Sequence, residues 1–163
     1  MKVYTIVSRS ADDTRRIASR LATVLSPGSV LLLSGELGSG KTTFTQGVAV
    51  GLGIREAVTS PTFVLAHEFA GRIPLYHLDF YRLRDGRDLP ELGFDDYLWG
   101  NGICVAEWPE RVDGLPNDAL AVHFKVVSDH ERFIVIGATG ARHEAMLANF
   151  VEKDEKCDPA CGH

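Results

Sequence analysis

An α/β fold with a mixed sheet follows from three features of the sequence. Short apolar runs of strand length alternate with amphipathic helical segments. A glycine-rich turn joins the most apolar of these runs, Val30-Leu31-Leu32-Leu33, to a helical segment. Two extended stretches, Phe63–Ala70 and Ile73–Asp79, are separated by only Gly71-Arg72, which predicts an antiparallel hairpin with a two-residue turn.

Taken in order, Val3–Val7 is a strand. Ser10-Ala11-Asp12-Asp13 has the pattern of a capping box ahead of Ile17, Leu21, Val24 and Leu25, which recur at helical spacing, and Pro27-Gly28 ends that helix. Val30–Leu33, continuously apolar and bounded by turn residues, reads as a central strand covered on both faces. Phe44, Val48 and Leu52 share one face of the next helix, and Gly53 is its stop. After the hairpin, Leu89–Leu98 is read as a short helix and Ile103–Ala106 as a buried strand, and Leu120, Val122, Phe124 and Val126 alternate as in a half-buried strand. Ser128–Glu131 turns the chain into a last strand, Phe133–Gly137. A closing helix, Ala141–Val151, buries Met146, Leu147 and Phe150. About seven strands flanked by helices are expected.

The 163 residues suit one domain, read as residues 1–151 with an acidic, flexible tail over 152–163; a chain of this size buries roughly 70% of its unfolded surface without disulfides. With 45% hydrophobic and 24% charged residues, disorder is excluded as the dominant state. The formal charge of −5 argues against a polybasic nucleic-acid grip or stable DNA binding. No apolar run approaches the ~20 residues of a membrane helix, and the N-terminus lacks a secretory pattern. With only Cys104, Cys157 and Cys161 present, a reducing cytoplasm is expected. Cys157, Cys161 and His163 offer three soft metal ligands where a structural zinc site takes four, and the tail is read as solvated.

Gly35-Glu36-Leu37-Gly38-Ser39-Gly40-Lys41-Thr42 matches G-x-x-x-x-G-K-[ST] between a strand and a helix, the context the phosphate-binding loop requires. Glycine lets successive backbone N–H groups converge on phosphate oxygens, and the helix N-terminus adds partial positive charge. Lys41 is placed to follow the β and γ phosphates, Thr42 to ligate Mg²⁺, and Thr43 to add a phosphate contact. A nucleoside triphosphate with Mg²⁺, and a P-loop NTPase domain, are therefore expected.

Such a site needs a carboxylate at the end of a neighbouring strand. Asp79 and Glu107 each end a largely apolar stretch, and the expected arrangement uses both: Asp79 helps hold the metal, and Glu107 completes its shell or orients the attacking water. Thr59-Ser60-Pro61-Thr62 is read either as a segment closing on the γ-phosphate or as an ordinary Ser-Pro turn. His67 and His77 are read as hydrogen-bonded structural residues. Trp108-Pro109 stiffens the backbone after Glu107, or simply packs.

Gly35–Thr43, Thr59–Phe63, Tyr76-His77-Leu78-Asp79-Phe80-Tyr81-Arg82-Leu83, Glu91-Leu92-Gly93 and Glu107-Trp108-Pro109-Glu110-Arg111 together resemble the TsaE (YjeE) family over roughly residues 3–150. The resemblance implies a small P-loop ATPase of tRNA threonylcarbamoyladenosine (t6A) synthesis. It would act on the complex of the transferase TsaD with TsaB, meet tRNA through that complex, and support repeated modification of A37 in tRNAs reading ANN codons. It also implies site residues: Lys41 and Thr42 for nucleotide and Mg²⁺, Thr62 as a switch threonine, Asp79 and Glu107 as the acidic residues, and Trp108 beside the nucleotide.

Two rival readings differ in kind. A small-molecule kinase would use an arginine-rich lid, for which Arg82, Arg84 and Arg87 are candidates, although Asp85 and Asp88 interleave. A nucleotide-gated binding module, such as a GTP switch, would carry an [NT]-K-x-D segment, and the sequence has none. No arginine finger is evident, so slow turnover by the free protein and stimulation by a partner are expected.

Overall fold

The computed structural model describes residues 2–59, 66–83, 87–88 and 93–156. The described elements are β1 (Lys2–Ser8), α1 (Ala11–Ala22), β2 (Val30–Gly35), α2 (Lys41–Gly51), β3 (Ala66–Phe69), β4 (Leu75–Asp79), β5 (Arg87–Asp88), α3 (Asp95–Leu98), β6 (Ile103–Glu107), β7 (Val112–Asp113), β8 (Ala119–Val126), β9 (Arg132–Thr139) and α4 (Ala141–Lys156). A 3-10 turn, Pro109–Arg111, links β6 to β7.

The expected mixed seven-stranded sheet is present, in the order β1-β9-β8-β2-β6-β4-β3. Strands β8, β2, β6 and β4 are mutually parallel. Antiparallel pairs β8–β9, β1–β9 and β3–β4 complete the two sides. The apolar run Val30–Leu33 lies mid-sheet, because only a strand covered on both faces buries consecutive apolar side chains. Strands β5 and β7 form a separate two-stranded ribbon that the sequence pattern did not announce.

A large core packs Ile17 and Leu21 of α1, Phe44 and Val48 of α2, and Leu147 and Phe150 of α4 against one sheet face. A smaller cluster around Leu78, Phe80, Leu98 and Cys104 covers the other. Ser10 caps α1 by accepting from the Asp13 N–H at 2.9 Å, while the Asp13 carboxylate accepts from the Arg9 N–H at 3.0 Å. Helix α1 stops at Ala22, so Val24 and Leu25 follow it rather than continue it. The Thr23 N–H and hydroxyl both donate to Arg20 O there.

Helices α1 and α2 meet through small residues. A Cβ on Gly47 would lie 2.4 Å from Arg15 O and 2.7 Å from Ala18 Cβ, and one on Gly51 would lie 2.6 Å from Ala22 Cβ. The backbone carbonyl cannot swing aside as a side chain does. Gly47→Val should therefore cost about 3 kcal/mol and lower Tm by roughly 6–12 °C, read by thermal melting. An unchanged Tm would mean that the helices separate freely.

The hairpin differs from expectation. Phe69 pairs with Leu75, so residues 70–74 form the connection in place of a two-residue turn. The Arg72 N–H instead donates to Leu52 O at 2.9 Å, and a Cβ on Gly71 would meet Ile54 Cγ1 at 2.6 Å. The loop is drawn toward the end of α2, which lengthens it. Residues 63–65 of the first expected strand lie outside the described residues. So do residues 89–92 of the helix read over Leu89–Leu98, whose described part is α3, Asp95–Leu98.

Helix α4 runs to Lys156, so residues 152–156, set apart in the sequence as tail, are helical. Asp154 accepts from Tyr4 Oη at 2.8 Å and from Arg20 Nη2 at 2.5 Å, tying this helix to β1 and α1. Cys157, Cys161 and His163 lie outside the described residues. At the other end of α4, buried His143 accepts the Val30 N–H at Nε2 (3.0 Å), and its Nδ1 lies 2.5 Å from Asp118 Oδ1. The hydrogen bond from His143 holds the Asp118 carboxyl below the usual carboxylate range. This stabilisation is complete above the ordinary Asp value of 3.8 and is lost as pH falls through the lower folded value. Because Asp118 is half exposed, Asp118→Asn should cost only about 1 kcal/mol at neutral pH, a Tm drop of ~2–4 °C that shrinks toward acid.

Candidate active site

The loop expected to bind phosphate spans the end of β2 and the start of α2, at the C-terminal ends of the parallel strands. Two of its glycines are required by geometry. Gly35 sits at φ +148°, and a Cβ there would lie 2.7 Å from Ser39 Oγ and 2.9 Å from Phe124 O. Gly40 is the N-cap of α2 at φ +113°. The Ser39 hydroxyl is buried and has no hydrogen-bond partner among the described residues. Arg132 Nε donates to Ser39 O at 3.2 Å, pinning the loop to β9. Leu37, at the loop tip, is 74% exposed.

Lys41 is buried. Its ammonium donates to Gly35 O at 2.7 Å and to Glu36 O at 2.9 Å, and stands 4.2 Å from the centroid of the Trp108 ring. Burial pulls its pKa below the ordinary lysine value of 10.5, opposed by the carboxylates of Glu107, Glu110 and Asp79. The local field is therefore acidic around one desolvated cation.

The sheet register brings the acidic residues together. Asp79 and Glu107 are direct partners at the ends of β4 and β6, and the Phe80 N–H donates to Glu107 O at 3.1 Å. Glu107 is buried, and Thr42 Oγ1 lies 3.3 Å from each of its carboxylate oxygens. Asp79 Oδ1 accepts the Tyr81 N–H at 2.9 Å. A hollow of about 240 Å³ is lined by Gly38, Lys41, Thr42, Asp79, Glu107 and Trp108, among others. Thr43 borders it and also a second hollow, of about 260 Å³, beside Thr14, Asp129 and Arg132.

Trp108 is the one non-glycine residue with positive φ among the described residues (φ 59°, ψ 51°). Its N–H donates to Leu33 O at 3.2 Å, and its ring lies 5.0 Å from that of Tyr81, with the Arg111 guanidinium 5.7 Å from each ring centroid. Packing holds a left-handed backbone that a large side chain rarely adopts. Every predicted site residue within the described residues is thus gathered on one end of the sheet. Ser60, Pro61, Thr62 and Phe63, together with Glu91 and Leu92, lie outside the described residues.

Chemically, Thr42, Asp79 and Glu107 form an oxygen donor set suited to a hard cation. Among the described residues no three His, Cys, Asp or Glu side chains converge as a metal cage. The Asp79 and Glu107 carboxylates beside Thr42 suit a Mg²⁺ site of one or two carboxylates completed by phosphate and water. The glycine-lined loop and the unpaired Ser39 hydroxyl suit a phosphate chain.

The family model described as "Threonylcarbamoyl adenosine biosynthesis protein TsaE" matches residues 8–134. The chain belongs to the TsaE family. It is 42% identical over 145 residues to the tRNA threonylcarbamoyladenosine biosynthesis protein TsaE of Bacillus subtilis, covering 88% of this chain and 90% of that protein. It is 44% identical over 131 residues to the protein of the same name from Treponema pallidum, covering 80% of this chain and 97% of the relative. The crystal structure of Bacillus subtilis YdiB superposes with a TM-score of 0.80 at 37% identity, covering 94% of this chain and 97% of that one.

For this TsaE-family chain, sequence reasoning passed over one residue at the site. His77 is fully buried, and its Nε2 lies 2.5 Å from Glu107 Oε2. The available signal was period-two parity, which sets His77 on the same sheet face as Asp79. His67 pairs with His77 across β3–β4, is partly exposed and packs edge-on to Phe69. Among the described residues no helix is long and apolar enough to cross a membrane.

Proposed function

We infer that this chain is a Mg²⁺-dependent ATP-binding and ATP-hydrolysing protein that supports t6A37 modification of tRNA in the cytoplasm by acting on the TsaB–TsaD complex. The observation that carries the reading is the convergence of the Lys41 ammonium, the Thr42 hydroxyl and the Glu107 and Asp79 carboxylates at the mouth of a glycine loop. Family membership carries the pathway, since the relatives are named for threonylcarbamoyladenosine biosynthesis.

In this reading the backbone N–H groups of residues 35–43 and the N-terminus of α2 bind the phosphate chain. Lys41 leaves the Gly35 and Glu36 carbonyls to follow the β and γ phosphates, and Thr62 acts as the switch threonine. Thr42 and Asp79 hold the cation. Glu107, buried and aimed at Thr42, completes that shell or orients the attacking water. Bound Mg²⁺ supplies charge neutralisation on the phosphate oxygens. Trp108 walls the phosphate region beside Lys41. Contact with tRNA is made through the partner complex.

Calorimetry with Mg²⁺ present should show ATP binding that excess GTP does not compete away; a folded chain with no heat from ATP would overturn the reading. Reconstitution with TsaB, TsaD, threonylcarbamoyl-adenylate and tRNA should show ATP turnover rising on addition of TsaB–TsaD, and multiple rounds of modification only when this chain and ATP are both present. Turnover driven by a metabolite, with stoichiometric phosphorylated product and no response to TsaB–TsaD, would establish a kinase instead.

A further inference from the structure

We propose that His77 is a positioning residue for Glu107: its Nε2–H fixes the carboxylate so that it faces the Thr42 hydroxyl and the metal side of the phosphate loop. The inference rests on the ATPase reading of the site and adds to it a residue on the neighbouring strand.

The two buried histidines among the described residues provide an internal contrast. His143 uses both ring nitrogens within the framework, Nδ1 on Asp118 and Nε2 on the Val30 N–H. His77 uses one. Its Nε2 meets Glu107 Oε2 at 2.5 Å, whereas Nδ1 is buried with no hydrogen-bond partner among the described residues. Placing the proton on Nε2 leaves only a lone pair unpaired at Nδ1, the less costly orphan, and makes Nε2 the donor. Among the described residues the ring's single polar contact is thus spent on a carboxylate at the site.

Glu107 needs that contact. A buried carboxylate is costly unless donors surround it, and the other side-chain contact shown is the Thr42 hydroxyl, 3.3 Å from both oxygens and so shared between them. A shared 3.3 Å contact does not fix the rotation of the carboxylate plane; a 2.5 Å bond from a ring locked in β4 does. His77 pairs in register with Val105 while Asp79 pairs with Glu107, so the imidazole reaches Glu107 along the strand direction from one pleat below. Asp79 at the strand end is left facing the hollow it lines. Residues that orient a ligand from behind in this way typically contribute 10–100-fold to metal affinity or activity.

Three variants test this: His77→Gln, which presents an amide N–H near the position of Nε2; His77→Asn, whose amide is too short to reach Oε2; and His77→Leu, which has no donor. Two quantities are read for each: kcat for ATP, and the ratio of ATP affinities with and without Mg²⁺ by calorimetry. His77→Leu and His77→Asn should lose about 10–100-fold in kcat and a similar share of the Mg²⁺-dependent ratio, with Mg²⁺-free ATP affinity within about twofold of wild type. His77→Gln should recover most of both. If His77→Leu fails to fold, the Gln–Asn pair decides. Equal behaviour of Gln and Asn, or an unchanged Mg²⁺ ratio in His77→Asn, overturns the proposal. A wild-type chain that binds no ATP removes the underlying reading of the site. A wild type that binds and hydrolyses ATP beside unaffected variants removes only the role of His77.

Discussion

Glu107→Ala is expected to lower ATP turnover by about 100-fold or more while leaving the Mg²⁺-free ATP affinity within a few-fold, measured by steady-state hydrolysis and calorimetry on the same preparation. The split follows from where Glu107 sits. Its carboxylate contacts Thr42 and His77, and the residue sits opposite Asp79 in the strand register, but the phosphate loop is held independently by Gly35, Ser39 and Arg132. Removing it deletes the group that completes the cation shell or orients water, an effect of the size usual for acid–base participants, without deleting the phosphate-binding amides. Unchanged turnover would take Glu107 off the list of reacting groups. A parallel collapse of Mg²⁺-free affinity and turnover would show that it mainly holds the fold of the loop.

Lys41→Ala carries the second large effect, this time on binding. A charge-assisted contact to phosphate is worth about 1.5–3 kcal/mol, so ATP affinity should fall roughly 10–100-fold. The pH dependence separates this from simple loop damage. Because burial lowers the Lys41 pKa from 10.5, wild-type affinity should begin to decline on the alkaline side earlier than an ordinary lysine would dictate. Lys41→Arg, charged throughout, should lack that alkaline decline, and Lys41→Ala should lack it because no ammonium remains. A wild-type affinity flat to the ordinary lysine range would overturn the account.

The parts of the fold legible in the sequence are those written in local pattern. Val30–Leu33 followed by Gly35–Thr42 announced a buried strand, a cradle and a helix, and the acids at the ends of apolar stretches pointed to Asp79 and Glu107. What escaped depends on which elements become neighbours. Gly47 and Gly51 look like weak helix formers until α1 is set against them, and Arg72 looks like a turn residue until the Leu52 carbonyl is beside it. The sequence predicts a hydrogen-bonded His77 but not its partner, which follows from the β4–β6 register. The extension of α4 to Lys156 likewise depends on Tyr4 and Arg20, some 130 residues or more away in sequence.

Strand β1 has its sheet partner more than 130 residues downstream, Lys2 opposite Ala138. At ribosomal speeds of ~5–20 residues per second, the emerging N-terminus waits roughly 7–27 s for the segment it pairs with. During synthesis the seven residues of β1 therefore exist as an unclaimed ribbon edge, and this part of the sheet closes late in translation.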